Sequence, residues 1–160
     1  MRHISFYGQD LFLENLTLER LDIWNKVHRE VVNGLRDATA KEMCYDIMID
    51  VDNDMEVKNS AGNLFLAKNN DGYFGYIKIS NVWNDEIVLA SVIQEKLRGQ
   101  GLGKVLLTSV SDYLLNNGDA SSIKLYVKHK NDVCIGLVEG CGFEKVCDSS
   151  KDVSIYCKKI

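Results

Sequence analysis

The sequence predicts one α/β domain over residues 1–160, with a mixed, mostly antiparallel central sheet flanked by helices. Three observations carry that expectation. A β-branched apolar run, Ile87–Ile93, leads through Arg98-Gly99-Gln100-Gly101-Leu102-Gly103-Lys104 into an amphipathic helix, where Val105, Leu106, Val110, Tyr113 and Leu114 fall at helical spacing. A second apolar strand, Ile123–Val127, follows the helix stop at Asn116-Asn117-Gly118, completing a strand–helix–strand unit. Ahead of this unit, Leu64–Ala67 and Tyr73–Ser80 flank Asn69-Asn70-Asp71-Gly72, a strong hairpin signal.

The elements follow in order. Leu11-Phe12-Leu13 reads as strand. Thr17 offers a helix N-cap with Glu19 in the first turn, and Leu18, Leu21, Trp24, Val27 or His28, Val31 and Leu35 follow one helical face. His28 reads as a satisfied helix histidine, with a substrate-side base as the alternative. A second helix is predicted from Thr39 to about Val51, with Met43, Ile47 and Val51 aligned. The charge run Asp50–Glu56 starts like a calcium loop, but Met55 stands where Gly is needed and Ala61 where Glu is needed, so no metal is expected. A solvated helix end or loop is its ordinary reading; the sharper one is that some of Asp46, Asp50, Asp52, Asp54 and Glu56 attract a positively charged amine. Asn59–Asn63 is a turn, and Gly75 inside the return strand marks a bulge or the close approach of another backbone. Asn84-Asp85 turns the chain into the Ile87 strand. Two further strands, around Phe143–Cys147 and Val153–Cys157, are joined by the polar stretch Asp148–Asp152.

Composition narrows the function classes. Apolar residues make up 46% and charged residues 26% of the chain, as in ordinary globular proteins, and no apolar run approaches a membrane span. Five cysteines, an odd number without metal-ligand spacing, point to reduced thiols and a cytoplasmic setting. A net charge of -4 argues against a nucleic-acid partner, which would need a basic face. Residues 1–80 carry 13 acidic against 9 basic side chains, so a partner guided by charge would be cationic or neutral.

The glycine-rich turn is where the chemistry concentrates. It sets backbone N–H groups at a helix start, where they lack intrahelical partners and the macrodipole is positive. Glycines at 99, 101 and 103 let an oxyanion approach the main chain, and Arg98 and Lys104 add charge at the rim. This is a cradle for a diphosphate. Its spacing fits neither a P-loop, which would need Gly at 98 and Ser or Thr at 105, nor a dinucleotide fingerprint, which would need Gly at 104 or 106.

Arg98-x-x-Gly101-x-Gly103 resembles the acyl-CoA-binding turn of the GNAT superfamily of N-acetyltransferases. A later segment strengthens the resemblance. Asn131, Leu137, Gly142 and Phe143 match the family's Asn-x-x-Ala-x-x-Leu-Tyr-x-x-x-Gly-Phe in register, with Cys134 at the small position. The two motifs cover roughly residues 86–147.

The resemblance implies a GNAT fold with splayed central strands, and acetyl-CoA as co-substrate, bound through Arg98, Gly99, Gln100, Gly101, Leu102, Gly103 and Lys104. It implies pantetheine pairing with backbone groups of Ser91, Val92 and Ile93, the Ile93 N–H polarising the thioester carbonyl. Asn131 contacts the pantetheine arm or caps the following helix, or does both. A primary amine, from a small cationic metabolite or a protein, attacks the thioester directly. Asp85 or Glu86 is the carboxylate candidate for taking its proton, and Tyr126 packs or hydrogen-bonds where some relatives carry a glutamate base. One departure stands out: Val138 occupies the position of the tyrosine that often protonates the leaving thiolate. Cys134, Tyr113 or water would have to replace it, or the thiolate leaves unassisted. That departure motivates a rival reading, a non-catalytic acyl-CoA sensor. A toxin-like enzyme acting on aminoacyl-tRNA would want a basic patch. Cys134 and Cys141 have no oriented base nearby in sequence and read as small buried thiols. The acceptor's identity and the oligomeric state stay open, a homodimer being one option.

Overall fold

The computed structural model describes residues 9–22, 24–32, 64–83 and 85–160. Among the described residues, eight strands form one sheet: β1 (Leu11–Phe12), β2 (Thr17–Arg20), β3 (Leu64–Asn69), β4 (Gly72–Trp83), β5 (Glu86–Ile93), β6 (Ser122–Lys128), β7 (Glu144–Asp148) and β8 (Val153–Lys159). Their order is β1-β2-β3-β4-β5-β6-β8-β7. Every neighbouring pair is antiparallel except β5 and β6, which run parallel because helix α1 (Leu102–Asn116) crosses over between them. Helix α2 (Asp132–Gly140) then connects β6 to β7.

The predicted unit is present where the apolar pattern put it. Helix α1 ends at Asn117, whose N–H bonds the Tyr113 carbonyl at 2.9 Å, and Gly118 follows with φ +78°. On one face of the sheet, α1 and α2 close over a large core. Phe65, Ile77, Ile79, Ile87, Leu89, Leu106, Val110, Leu114 and Ile123 are buried in it. Each such large side chain contributes about 1.5–3 kcal/mol when fully buried. On the opposite face a smaller cluster joins Leu21, Val32, Leu64, Leu66, Tyr76, Ala90 and Val92.

The helix predicted from Thr17 is a correction. Residues 17–20 are strand β2, paired with Leu11–Phe12 on one side and Phe65–Lys68 on the other. Leu16 and Leu18 are buried while Thr17 and Glu19 are half-buried, an alternation of period two that a helix cannot produce. Helix begins only at residue 26, after Asn25, whose Oδ1 accepts the N–H groups of Val27 at 2.9 Å and His28 at 3.2 Å. Trp24, assigned by spacing to the apolar face, is 84% exposed. Leu35, the predicted 39–51 helix, the acidic run with Asp46, and the 59–63 turn lie outside the described residues.

Gly75 meets its expectation as a site of close approach. A Cβ there would overlap the Val92 carbonyl oxygen. Beside it the β3–β4 ladder slips, Ala67 pairing with Gly75 and Lys68 with Tyr73, so Phe74 is the extra residue of a bulge. The bulge restores the alternation one residue early. Phe74 therefore joins the large core while Tyr73 packs against the small cluster.

Candidate functional site

Strands β5 and β6 stay joined through only three pairs, Glu86↔Ser122, Ile87↔Ile123 and Val88↔Lys124. Beyond Val88 no ladder connects Leu89–Ile93 to Leu125–Lys128. The two strands splay, and a gap opens toward the glycine-rich turn. Ser91, Val92 and Ile93 line its β5 edge while their other edge is committed to β4, opposite Ile77, Tyr76 and Gly75.

The turn at the mouth has the geometry its glycines allow. Gly99 and Gly101 adopt φ +79° and +80°, with open space where their Cβ atoms would stand. Gly101 is the N-cap of α1 and no side chain caps the helix, nor is any acidic residue in the first turn. The first intrahelical bond runs from Val105 N–H to Gly101 O at 3.1 Å, so the amides of Leu102, Gly103 and Lys104 precede the ladder. With Gln100 and Lys104 exposed, this stretch suits an oxyanion of diphosphate size. Arg98 plays a bracing part: its Nε donates to the Ile93 carbonyl at 3.1 Å, tying the turn to the end of β5.

Gly103 serves packing. A Cβ there would come within 3.3 Å of Leu137 Cδ2 and 3.7 Å of Ile93 Cγ1. The missing side chain is what seats α2 against the first turn of α1. Asn131 caps α2, its Oδ1 accepting from Cys134 N–H at 3.0 Å. Burial pushes the half-buried Cys134 thiol up to about 11, so at neutral pH it is a packed group rather than a nucleophile. Val138 is 2% exposed within the large core. Tyr113 stands farther along α1, beside Asn117.

The proposed carboxylates lie elsewhere along the gap. Glu86 pairs with Lys124 at 2.9 Å at the closed end, where β5 and β6 are still joined. Its hydrogen bond outweighs burial and raises the Lys124 ammonium above its ordinary value. Ser121 N–H bonds the Asp85 carbonyl at 2.9 Å at the same end. Seven residues of strand, about 23 Å at ~3.3 Å per residue, separate Glu86 from Ile93. The structure therefore does not gather Asp85 and Glu86 with Ser91–Ile93. Tyr126 sits on the diverging stretch of β6, half-buried and opposite Ile155.

A polar cluster that no motif announced occupies the face opposite α1 and α2. The Tyr73 hydroxyl and His28 Nε2 (3.1 Å) both hydrogen-bond Glu19 Oε1. Asp22 N–H donates to His28 Nδ1 at 3.1 Å, so the ring hydrogen belongs on Nε2 and points at Glu19. His28 is 4% exposed, which agrees with the satisfied-histidine expectation, although its carboxylate partner was not foreseen. Burial raises Glu19, but the hydrogen bonds from Tyr73 and His28 and the nearby Lys68 charge outweigh it and hold the carboxyl below its usual value. Burial, then the bond to Glu19, pushes Tyr73 up to about 12. Glu19 and Tyr73 are 54 residues apart, and only their meeting across β2, β3 and β4 makes the pair.

Among the described residues no group of three or more His, Cys, Asp or Glu side chains could hold a metal, and no helix is long and apolar enough to cross a membrane.

Comparison with known proteins bears on the same stretch. The model of the acetyltransferase (GNAT) family matches residues 27–143. The chain matches no curated protein at the sequence level. Three similar solved structures illustrate the likeness in fold. Spermidine N-acetyltransferase from Vibrio cholerae, in complex with CoA and spermine, is 17% identical with TM-score 0.70, covering 91% of this chain and 95% of its own. N-acetyltransferase PseH from Campylobacter jejuni, in complex with acetyl coenzyme A, is 17% identical with TM-score 0.70, covering 90% and 98%. The microcin C7 self immunity acetyltransferase, in complex with acetyl-CoA and AMP, is 12% identical with TM-score 0.72, covering 92% and 93%.

Proposed function

Because the chain belongs to the acetyltransferase (GNAT) family, we propose that it moves an acetyl group from acetyl-CoA to a primary amine by direct attack on the thioester. The observation that carries this reading is the conjunction of an uncapped helix start behind left-handed Gly99 and Gly101 with a gap between β5 and β6. In it, main-chain donors of Gly99–Lys104 grip the diphosphate, and Arg98 keeps the turn in place from Ile93 O. Pantetheine lies along Ser91–Ile93, with Asn131 and Cys134 at the start of α2 beside it. The Ile93 N–H polarises the thioester carbonyl.

The large core, with α1 and α2, fills one face of the sheet. The amine therefore comes from the other face, the side of Val92 and Tyr73. Nitrogen forms a bond to the acetyl carbon, the C–S bond breaks, and the amine gives up a proton. Holding both reactants in one cleft supplies effective molarity. Glu86 is engaged by Lys124, so proton removal is assigned to water in the open gap, with Asp85 and Glu86 at its closed end. Tyr126 packs against the large core from the β6 wall. Thiolate departure has no side-chain acid at Val138, which is core. Free thiols at Cys134, Cys141, Cys147 and Cys157 support action in the cytoplasm.

The test is CoA affinity, by calorimetry, of Gly101→Glu and Arg98→Glu, with folding checked by circular dichroism. We expect weakening of about a hundredfold, ~2.7 kcal/mol, in the glycine variant. Unchanged affinity in a folded variant overturns the cradle. The buried Val138 motivates a second reading, an acyl-CoA sensor without turnover. Thiol release with a panel of amines separates the two, since tight CoA binding with no release on any amine favours the sensor.

A further inference from the structure

Lys68, near the end of β3, already shows how an ammonium is held on the acceptor face. Its Nζ lies 3.7 Å from Glu19 Oε2 and 5.2 Å from the centre of the Tyr73 ring. A carboxylate on one side and an aromatic face on the other is a recognition pair for an ammonium. The carboxylate is fixed from behind by the Tyr73 hydroxyl and by His28, itself fixed by Asp22 N–H. Those bonds, with Lys68 opposite, outweigh burial and hold the Glu19 carboxyl below its ordinary value. Lys68 is held far less firmly. Its separation from Glu19 exceeds hydrogen-bonding distance, and its side chain is 43% exposed. A cavity of about 570 Å³ opens beside it, lined by Phe12, Thr17, Glu19, Lys68 and Asp71 among others.

The neighbouring strands connect this spot to the gap. Glu19, Leu66, Tyr76 and Val92 form one row across β2–β5 on the face away from α1 and α2. Val92 belongs to the small cluster and Tyr73 packs against it. Lys68 is two strand spacings from β5, roughly 10 Å.

We propose that Lys68 stands in for a second ammonium group of the acceptor, so that the preferred acceptors are linear diamines whose far nitrogen displaces Lys68 from Glu19 and the Tyr73 ring. This rests on the acetyl-transfer reading and names the substrate class within it. One nitrogen enters the gap as nucleophile, and the other, about 10 Å away, settles between carboxylate and ring. Removing the Lys68 ammonium therefore leaves the site open for the ligand, the opposite of what a structural ion pair predicts.

The experiment compares 1,8-diaminooctane with 1-aminooctane as acceptors in the wild type, E19Q and K68A. The wild type should use the diamine with a kcat/KM about tenfold above the monoamine. In E19Q the ratio should fall to near one, and in K68A it should rise further. Equal use of both amines by the wild type, or a lower diamine kcat/KM in K68A, overturns the assignment. Failure of the transfer reading shows separately, as absent acetyl-CoA binding or absent turnover. The diamine alone is then titrated calorimetrically into each protein. Binding that tightens in K68A and is lost in E19Q upholds the site, and no binding by the wild type overturns it.

Discussion

The two walls of the cleft are made of different materials. On the proposed donor side, from β5 through α1 to α2, the groups on offer are main-chain amides, left-handed glycines at 99 and 101, and a cap at Asn131. On the proposed acceptor side they are the side chains of Glu19, His28, Lys68 and Tyr73, brought together by three strands and a helical turn. A backbone cradle depends on local chain geometry and tolerates changes in surrounding side chains. A side-chain cluster depends on register between distant strands, and it changes its ligand when one residue changes. The first suits a constant co-substrate, the second a particular acceptor.

The largest expected effect comes from breaking the ladder that holds the two walls together. Gly75→Ala puts a Cβ into the Val92 carbonyl oxygen, and backbone offers no side-chain end to swing aside. We expect a loss of about 3 kcal/mol in urea denaturation, with both CoA binding and amine turnover reduced together. A nearly neutral variant would show that β4 and β5 relax apart freely.

Next in size is Val138→Tyr, which probes the donor wall by itself. Val138 is buried in the large core, so the larger ring should destabilise by about 2 kcal/mol and leave the rate no faster. A stable variant with a faster chemical step would return the thiolate-protonating role to this position.

The smallest effect is on the acceptor wall. Tyr73 sits at about 12 against an ordinary 10. Its contribution to stability is therefore complete below pH 10 and is lost as pH climbs toward 12. Glu19 is held below its ordinary 4.5, so its contribution is present above that value and fades as pH falls beneath it. Tyr73→Phe should cost about 1 kcal/mol at neutral pH and flatten the decline between pH 10 and 12, read from urea midpoints across a pH series. The same alkaline decline in the variant would mean another group causes it.

These two materials also differ in how far the amino-acid order announces them. Gly99, Gly101 and Gly103 act within a few residues of one another, so their spacing is itself the structure. Asn131 likewise caps the helix that begins beside it. The pattern of Thr17–Arg20 is ambiguous because Leu18 and Leu21 fit a helical face as well as they fit a strand. What decided it was Phe65–Lys68, nearly fifty residues later. Gly75 could be read as a bulge or close contact, but the extra residue is Phe74, and that choice turns Tyr73 toward Glu19. No local pattern encodes a meeting of residues 54 positions apart. The distance of Glu86 from the mouth was similarly hidden, because strand position along the gap follows from where the parallel pairing stops.

The short pairing of β5 with β6 has a mechanical consequence. Eight residue pairs join β4 to β5 and seven join β6 to β8, against three at this junction. The sheet is thus a five-strand slab and a three-strand slab sharing one brief seam. At about 1 kcal/mol for each backbone bond given up, levering the slabs apart there is far cheaper than tearing any long ladder. In the proposed acetyl transfer, a long, thin thioester would enter, and the free thiol leave, at this three-pair seam, which is shorter than the ladders on either side of it.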